Sequence, residues 1–181
     1  MGSKPSRAAR RSTRRSNARP VLGALAPWLF AFAAPALAEA SSAWEADVAS
    51  IDAIIDAYYE VVSGPAGVAP DAARDRFLHH PEHWIAIAGV DADGRARIVT
   101  QTLDDYHGPT PVPRAEPFYE REVAREVRRT GSIAHVWSDY ESARTPGGEP
   151  FDCGTNSITL WNDGDRWWVM SWLFDSAACT P

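Results

Sequence analysis

Two acidic residues near the C-terminus stand where a hairpin would bring them together. Asp163-Gly164 is typical of a two-residue hairpin turn, and counting outward from it places Asp152 opposite Asp175. The same count places Asn156 opposite Ser171 on the same apolar face. Opposed carboxylates raise the pKa of one partner, which suits acid–base catalysis, although a solvated strand end would also tolerate the pair.

A histidine and a glutamate form the second candidate pair. With a turn at Thr130-Gly131, His135 falls opposite Glu126, and Trp137 follows on the same face. A histidine oriented by a carboxylate is typical of a general base, whereas the same pair on an exposed face would be an ordinary cross-strand ion pair. The candidate catalytic residues are therefore His135, Glu126, Asp152 and Asp175.

Aromatic and amide side chains are the candidates for ligand contacts. Tyr58 or Tyr59, on a predicted helix, could aim a phenol into the interior, although a core tyrosine with a satisfied hydroxyl would show the same pattern. The candidate ligand-binding residues are Tyr58, Tyr59, Trp84, Trp137, Asn156 and Ser171.

The segment His79-His80-Pro81-Glu82-His83 holds three histidines and an acid. Its proline breaks a helix, so no helical pair of ligands forms, and no second cluster in the sequence completes a four-ligand site. We expect a histidine-rich rim or an ordinary loop here, and no metal. The sequence has no nucleophile elbow, phosphate loop or dinucleotide-binding glycine pattern, so no cofactor is expected.

The elements that position these residues follow from hydrophobic periodicity. Apolar spacings of three and four predict a helix over 44–62, and flanking prolines predict a second, short helix over 70–79. A helical turn begins the proline-rich connector over 103–115. The period of two predicts strands over 84–90, 95–102, 117–129, 132–144, 151–162 and 166–175. Helices followed by an antiparallel meander predict an α+β fold.

The first 38 residues are typical of an export signal. Seven basic residues and no acidic residue precede an apolar run over 21–34. Ala36-Leu37-Ala38, after the run, is a typical cleavage site. The run is shorter than the ~20 residues that a membrane span needs, which favours a cleaved signal over an anchor. The general secretory and twin-arginine routes both stay open.

Removing the signal changes the charge of the chain. The single domain over 39–181 has 11 basic and 24 acidic residues, so its net charge is −13 rather than −6, which disfavours nucleic-acid binding. We expect it to be periplasmic or secreted, without membrane contact after cleavage. Cys153 and Cys179 could pair in an oxidising compartment, and the sequence leaves this open.

Four segments resemble the nuclear transport factor 2-like superfamily, in its bacterial SnoaL-like branch. They are 118–122 (FYERE), 133–140 (IAHVWSDY), 154–158 (GTNSI) and 165–172 (DRWWVMSW), within an element order that covers 44–176. The resemblance implies a cone-shaped, curved, mixed or antiparallel sheet wrapped around a long N-terminal helix. In relatives a second subunit often covers the outer face of the sheet, so we expect a homodimer; a monomer covered by a terminus or the connector is the alternative.

The resemblance leaves the function open, because the superfamily includes isomerases, dehydratases, cyclases and non-catalytic binding domains. The leading hypothesis is an exported domain that binds a small apolar molecule in the cone. One alternative is a cofactor-free isomerase, dehydratase or cyclase that uses acid–base chemistry in the same pocket. The other is a non-catalytic dimerisation or interaction module.

Overall fold

The computed structural model describes residues 43–179 of the chain. The predicted signal peptide over residues 1–38, with its cleavage site near Ala38, lies outside the described residues. No helix between residues 43 and 179 is both long enough and apolar enough to cross a membrane.

The first long helix is shorter than predicted. Instead of one helix over 44–62, a 3-10 turn at Glu45–Val48 precedes helix α1, Ile51–Val62. The break lies at Ser50, which has an extended backbone and accepts a hydrogen bond from the amide of Ala53, 3.1 Å away. Serine in this geometry caps the start of a helix, so a new helix begins there and the preceding turn does not run into it.

The other two helices lie close to their predicted positions. Helix α2, Ala72–Leu78, is capped by the side chain of Asp71, and helix α3, Leu103–His107, is the helical turn expected at the start of the connector. Thr102 and Asp105 form a reciprocal capping box at the start of α3.

Six strands form one mixed sheet. Their order across the sheet is β2-β1-β6-β5-β4-β3, with β1 and β6 parallel and all other neighbours antiparallel. The predicted α+β class is therefore confirmed. The strands are β1 His79–Val90, β2 Ala96–Gln101, β3 Tyr119–Thr130, β4 Ile133–Ala143, β5 Pro150–Asn162 and β6 Trp167–Ala177.

The first strand begins five residues earlier than predicted. The histidine-rich segment 79–83 is not a loop, because it forms the first half of β1, and its histidines line a pocket of about 360 Å³. His79 pairs with Val169 of β6, and the register shifts before Trp84 pairs with Ser171. Pro81 lies within this irregular stretch, where no regular ladder hydrogen bond is lost.

The last hairpin has a longer turn than the two residues predicted. Residues 163–166 connect β5 to β6, and the Asp163 carboxylate holds them by accepting two backbone hydrogen bonds of 2.9 Å. An extra residue of β6 bulges out between the pairs Leu160–Val169 and Thr159–Ser171. The turn shifts the pairing by two residues and the bulge by one more, which reverses the face of the later β6 residues.

The pairs predicted on this hairpin are therefore wrong. Asn156 faces Phe174 rather than Ser171, and Asp175 faces Thr155 rather than Asp152. Asp175 is exposed to solvent. The two carboxylates do not form an opposed pair.

The hairpin of β3 and β4 is also displaced by two residues. Its turn lies at Gly131-Ser132, one residue later than predicted. Glu126 therefore faces Trp137, and His135 faces Arg128. The predicted pairing of His135 with Glu126 is wrong for this reason.

The observed register accounts for a disulfide that the sequence left open. Cys153 faces Ala177, two residues before Cys179, and the two cysteines are bonded, with their Cα atoms 5.0 Å apart. With the two-residue turn, Cys153 would face Phe174, five residues short of Cys179. The register shift of three residues brings the C-terminal segment within reach.

The concave face of the sheet packs on α1. Ile54 and Ile55 are fully buried in one core with inward side chains of β4, β5 and β6. Each strand from β3 to β6 contacts α1, so the sheet curves around this helix. The contacting side chains are Arg125, Ser138, Asn156 and Trp172.

Candidate ligand site

A line of hydrogen bonds crosses the interior between α1 and the sheet. The indole of Trp172 donates to Asn156 Oδ1 at 2.9 Å, and Asn156 Nδ2 donates to the hydroxyl of Tyr59 at 3.1 Å. The Tyr59 and Ser138 hydroxyls are 2.6 Å apart, and Ser138 donates to Glu122. A carboxylate only accepts hydrogen bonds, so the hydroxyl hydrogen of Ser138 points to Glu122. The hydrogen bond between the two hydroxyls must therefore be donated by Tyr59.

The line ends in an ion-pair cluster between β3 and α1. Arg125 binds Glu122 at 2.6 Å and also contacts Asp52 and Asp56 at 2.6 and 3.0 Å. Residues three apart on a regular strand face opposite sides, but a bulge at Val123 turns both Glu122 and Arg125 inward. The cluster therefore ties the helix to the strand at one end of the interior line.

Burial sets the protonation of the interior tyrosines. It raises the pKa of Tyr59 well above its ordinary value, and the hydrogen bonds with Ser138 and Asn156 oppose this rise only in part. Burial also raises the pKa of Tyr58, as do the nearby charges of Glu120 and Asp75. Both phenols therefore stay neutral at physiological pH and act as hydrogen-bonding groups.

Glu120 is an interior carboxyl with a strongly shifted pKa. Burial raises the pKa of Glu120 to about 7, hydrogen bonds from Ser142 and Asn156 oppose the rise, and the charge of Asp152 adds to it. The Ser142 hydroxyl lies 3.3 Å from Glu120 Oε2. A carboxyl that exchanges its proton near neutral pH is typical of functional sites.

A second buried carboxylate lies between two histidines. Asp75 of α2 accepts a hydrogen bond from His107 Nε2 at 2.8 Å, and His79 Nδ1 lies 3.2 Å from its other oxygen. The three side chains are between 1% and 4% exposed. Burial alone would raise the pKa of Asp75, but the hydrogen bonds of His107 and His79 hold it at about 2.

His79 has one ring nitrogen without a partner. Its Nδ1 lies 2.9 Å from the backbone carbonyl of Asp75, while its Nε2 is buried and has no hydrogen-bond partner among the described residues. The ring borders a small cavity of about 20 Å³. Asp75, apolar side chains and the rings of Tyr58, Tyr106 and Trp172 form the other walls. We call this space the inner cavity.

A larger pocket of about 470 Å³ opens at the C-terminal end of α1. We call it the mouth pocket. Its walls include Val61, Val62, Pro70, Phe118, Tyr106 and His107. Val62 and Tyr106 also border the inner cavity, so the two spaces share a wall.

Arg114 supplies positive charge to the mouth pocket. Its guanidinium donates to the carbonyl of Val62 at 2.7 Å, at the C-terminus of α1, where carbonyls lack helical partners. Within residues 43–179 no carboxylate lies within ion-pair distance of it. The second arginine of this pocket, Arg144, is paired with Glu116 at 2.8 Å.

Comparison with known proteins shows only distant likenesses. No protein-family model and no curated protein matches the chain. Among solved structures, the chain is similar to a protein from Kribbella flavida, with 14% identity and a TM-score of 0.48 over 77% of this chain and 93% of that one. It is also similar to a nuclear transport factor 2-like protein of unknown function from Methylobacillus flagellatus, with 17% identity, a TM-score of 0.41 and coverage of 71% and 95%.

A third likeness is to a protein of unknown function with a cystatin-like fold from Nostoc punctiforme. The identity is 8% and the TM-score 0.44, over 61% of this chain and 80% of that one. All three likenesses have TM-scores below 0.5, so none of them assigns a function or a family to this chain.

The structure separates the predicted ligand residues into two groups. Tyr59 and Asn156 lie in the interior line, and Tyr58 borders the inner cavity. Trp84 and Trp137, in contrast, are 47% and 50% exposed on the outer face of the sheet. Ser171 lies beside Trp84 on that face.

The predicted catalytic residues do not meet in the interior, although His135 and Glu126 line one pocket of about 280 Å³ together with Trp137. His135 bonds Ser157 at 2.9 Å on the outer face, and the exposed Glu126 pairs with Arg128. Asp152 accepts a hydrogen bond from Ser176 at 3.2 Å, close to the end of the sheet. Neither predicted pair has the geometry of an acid–base site.

Sequence reasoning missed the titratable groups Glu120, Asp75 and His107 of the candidate site, and also Tyr106 and Arg114 of the mouth pocket. Glu120 lies in segment 118–122, which carried the resemblance. It alternates along the strand with the exposed Arg121, and this alternation could have indicated that Glu120 faces the interior. Asp75 and His107 gave no signal, since 32 residues separate them. No group of histidine, cysteine and acidic residues in the described chain has the geometry of a metal site.

Proposed function

We propose that this chain is a binding domain for a small, largely apolar molecule, held in the mouth pocket. The observation that carries the proposal is the size and lining of that pocket. Its volume of about 470 Å³ falls within the ~300–1,000 Å³ typical of ligand sites. Its exposed wall area is mainly apolar, with polar groups from His107, Arg114 and Tyr106 and from the ion pair of Glu116 with Arg144.

We further propose that the chain belongs to the nuclear transport factor 2-like superfamily, in its SnoaL-like branch. The support is the order of elements and the curved mixed sheet around α1. The resemblance implies an open mouth that leads to an apolar interior. The mouth pocket, beside the C-terminus of α1, is a place of this kind.

Filling the pocket tests the binding function. N-phenyl-1-naphthylamine, an apolar dye that fluoresces when shielded from water, should bind the wild type with enhanced emission. Val62→Trp places an indole into the mouth pocket and should abolish most of the enhancement. Val127→Trp, on an exposed strand position, is the matched control and should bind as the wild type does. Absence of dye binding, or equal binding by Val62→Trp, would refute the proposal.

A second candidate function is cofactor-free acid–base catalysis in the same pocket. The observation that favours it is the pair His107–Asp75. His107 borders the mouth pocket, and its Nε2 bond to a buried carboxylate leaves Nδ1 without a partner among residues 43–179. A histidine oriented in this way is typical of a general base.

Exchange of a carbon-bound proton tests this second function. In D₂O, His107 would take a proton from the carbon next to the carbonyl of 1-tetralone, leaving the electron pair on the enolate, and deuterium would return to that carbon. Mass spectrometry should show exchange faster than in buffer with the wild type and not with His107→Gln. Exchange at the buffer rate with both proteins would remove this candidate.

We also propose that the mature domain is exported and dimeric. The Cys153–Cys179 disulfide supports an oxidising compartment, and N-terminal sequencing of the secreted protein should begin after Ala38. The exposed Trp84 and Trp137 support pairing through the outer face of the sheet. Light scattering should give the mass of two chains, falling to one in Trp137→Glu. A single-chain mass for the wild type at micromolar concentration refutes the dimer.

A further inference from the structure

Two residues that border the inner cavity, His79 and Asp75, each have a buried atom without a hydrogen-bond partner among the described residues, Nε2 and Oδ1. The Asp75 oxygen already has His79 Nδ1 3.2 Å away, which leaves Nε2 as the acceptor for another group. His79 Nδ1 faces two oxygens of Asp75, the backbone carbonyl at 2.9 Å and a carboxylate oxygen at 3.2 Å, and both only accept. The proton of a neutral ring must therefore lie on Nδ1, which leaves a lone pair on Nε2. That nitrogen is buried and has no partner within the described chain.

The charge balance of the cluster argues for the neutral ring. Asp75 is a single carboxylate, and His107 already binds its other oxygen at 2.8 Å. If both imidazoles were protonated, the buried group would carry an uncompensated positive charge, which is costly away from water. At 1% exposure His79 is enclosed, and a proton on its Nε2 would have no acceptor among the described residues.

The size of the inner cavity limits what can reach this acceptor. A space of about 20 Å³ holds one group of the size of a water molecule. Tyr58 and Tyr106 border it, but neither hydroxyl bonds His79. A hydroxyl or an amine would fit and would supply the missing donor.

We propose that the molecule in the mouth pocket inserts a hydroxyl or amine into the inner cavity and donates a hydrogen bond to His79 Nε2. The inference rests on the proposed binding function and names the chemical class of its ligand. Val62 and Tyr106 line both spaces, so an apolar body in the mouth pocket lies beside the inner cavity, and its polar group would enter between these two side chains.

Two probes of nearly equal shape test the proposal. 2-Naphthol carries a donor, and 2-methylnaphthalene replaces it with a methyl group. Calorimetry should show that His79→Phe lowers the preference for naphthol over methylnaphthalene by about tenfold, the effect of about one buried hydrogen bond. His80→Phe is the matched control, because His80 packs against Trp161 and Trp168 instead, and it should leave the preference unchanged.

A spectroscopic measurement covers the case in which His79→Phe does not fold. In ¹⁵N-labelled wild-type protein, naphthol should shift the Nε2 resonance of His79, and methylnaphthalene should not. If both probes bind without shifting this resonance, only a resident water satisfies His79, and the inference is overturned while the pocket stands. If neither probe nor the naphthylamine dye binds, the proposed function itself fails.

Discussion

Replacement of Tyr59 by phenylalanine tests the interior line most directly. The Tyr59 hydroxyl donates to Ser138 and accepts from Asn156, and its side chain is nearly buried. Tyr59→Phe removes both bonds without changing the shape of the ring. It leaves an amide proton of Asn156 and a lone pair of Ser138 without partners in the core. Loss of such bonds costs about 2–3 kcal/mol of unfolding free energy.

The neighbouring tyrosine provides the control. The Tyr58 hydroxyl has no hydrogen bond within residues 43–179, so Tyr58→Phe should change the free energy of unfolding by less than about 0.5 kcal/mol. Urea unfolding followed by tryptophan fluorescence measures both variants. With a slope of about 2 kcal/mol per molar urea, the midpoint of Tyr59→Phe should fall by about 1–1.5 M. Equal midpoints for the two variants would show that the line of hydrogen bonds does not hold α1 in the sheet.

Three further predictions follow from the charged groups and the disulfide. Folding raises the pKa of Glu120 from 4.5 to about 7, so the free energy of unfolding should fall by about 3 kcal/mol as the pH rises through that range. In urea titrations, Glu120→Gln should remove most of this fall. The control Glu126→Gln, at an exposed position, should not. Folding lowers the pKa of Asp75 from 3.8 to about 2, so about 2 kcal/mol of unfolding free energy should be lost as the pH falls through that range. The difference in stability between wild type and Asp75→Asn, followed by near-UV circular dichroism, should become smaller there. A difference that stays constant with pH contradicts the lowered pKa of Asp75. Replacing Cys153 and Cys179 by serine opens a loop of 26 residues, which should lower the free energy of unfolding by about 3 kcal/mol and the Tm by about 10 °C. A reductant should lower the Tm of the wild type by the same amount and leave the Tm of the double variant unchanged.

Hydrophobic periodicity predicted most elements to within a few residues. The short helix before the sheet and the helical turn at Leu103 were found because flanking residues mark their ends. The break at Ser50 was missed because apolar spacing of three and four continues across it. Periodicity reports which side of an element is apolar, and a capping residue can interrupt a helix without changing that pattern.

The register in which the strands pair could not be predicted from hydrophobic periodicity. The turn at Asp163 looks like a two-residue hairpin, but its carboxylate binds two backbone amides and stabilises a four-residue loop. That difference displaces every pair predicted along β5 and β6, including Asp152 with Asp175. The candidate site depends on these registers and on the long-range meeting of Asp75 and His107, and neither leaves a local signal.

The two bulges determine which side chains form the ends of the interior line. Under strict alternation Trp172 would lie on the opposite face from Val169, and Arg125 on the opposite face from Glu122. The extra residue in β6 turns Trp172 inward so that its indole reaches Asn156, and the bulge in β3 turns Arg125 inward to join α1. Both ends therefore depend on a single inserted residue. Bulges are common beside functional sites because they redirect a side chain without moving the rest of the sheet, and here they do so at each end of the line that fixes α1 beside the mouth pocket.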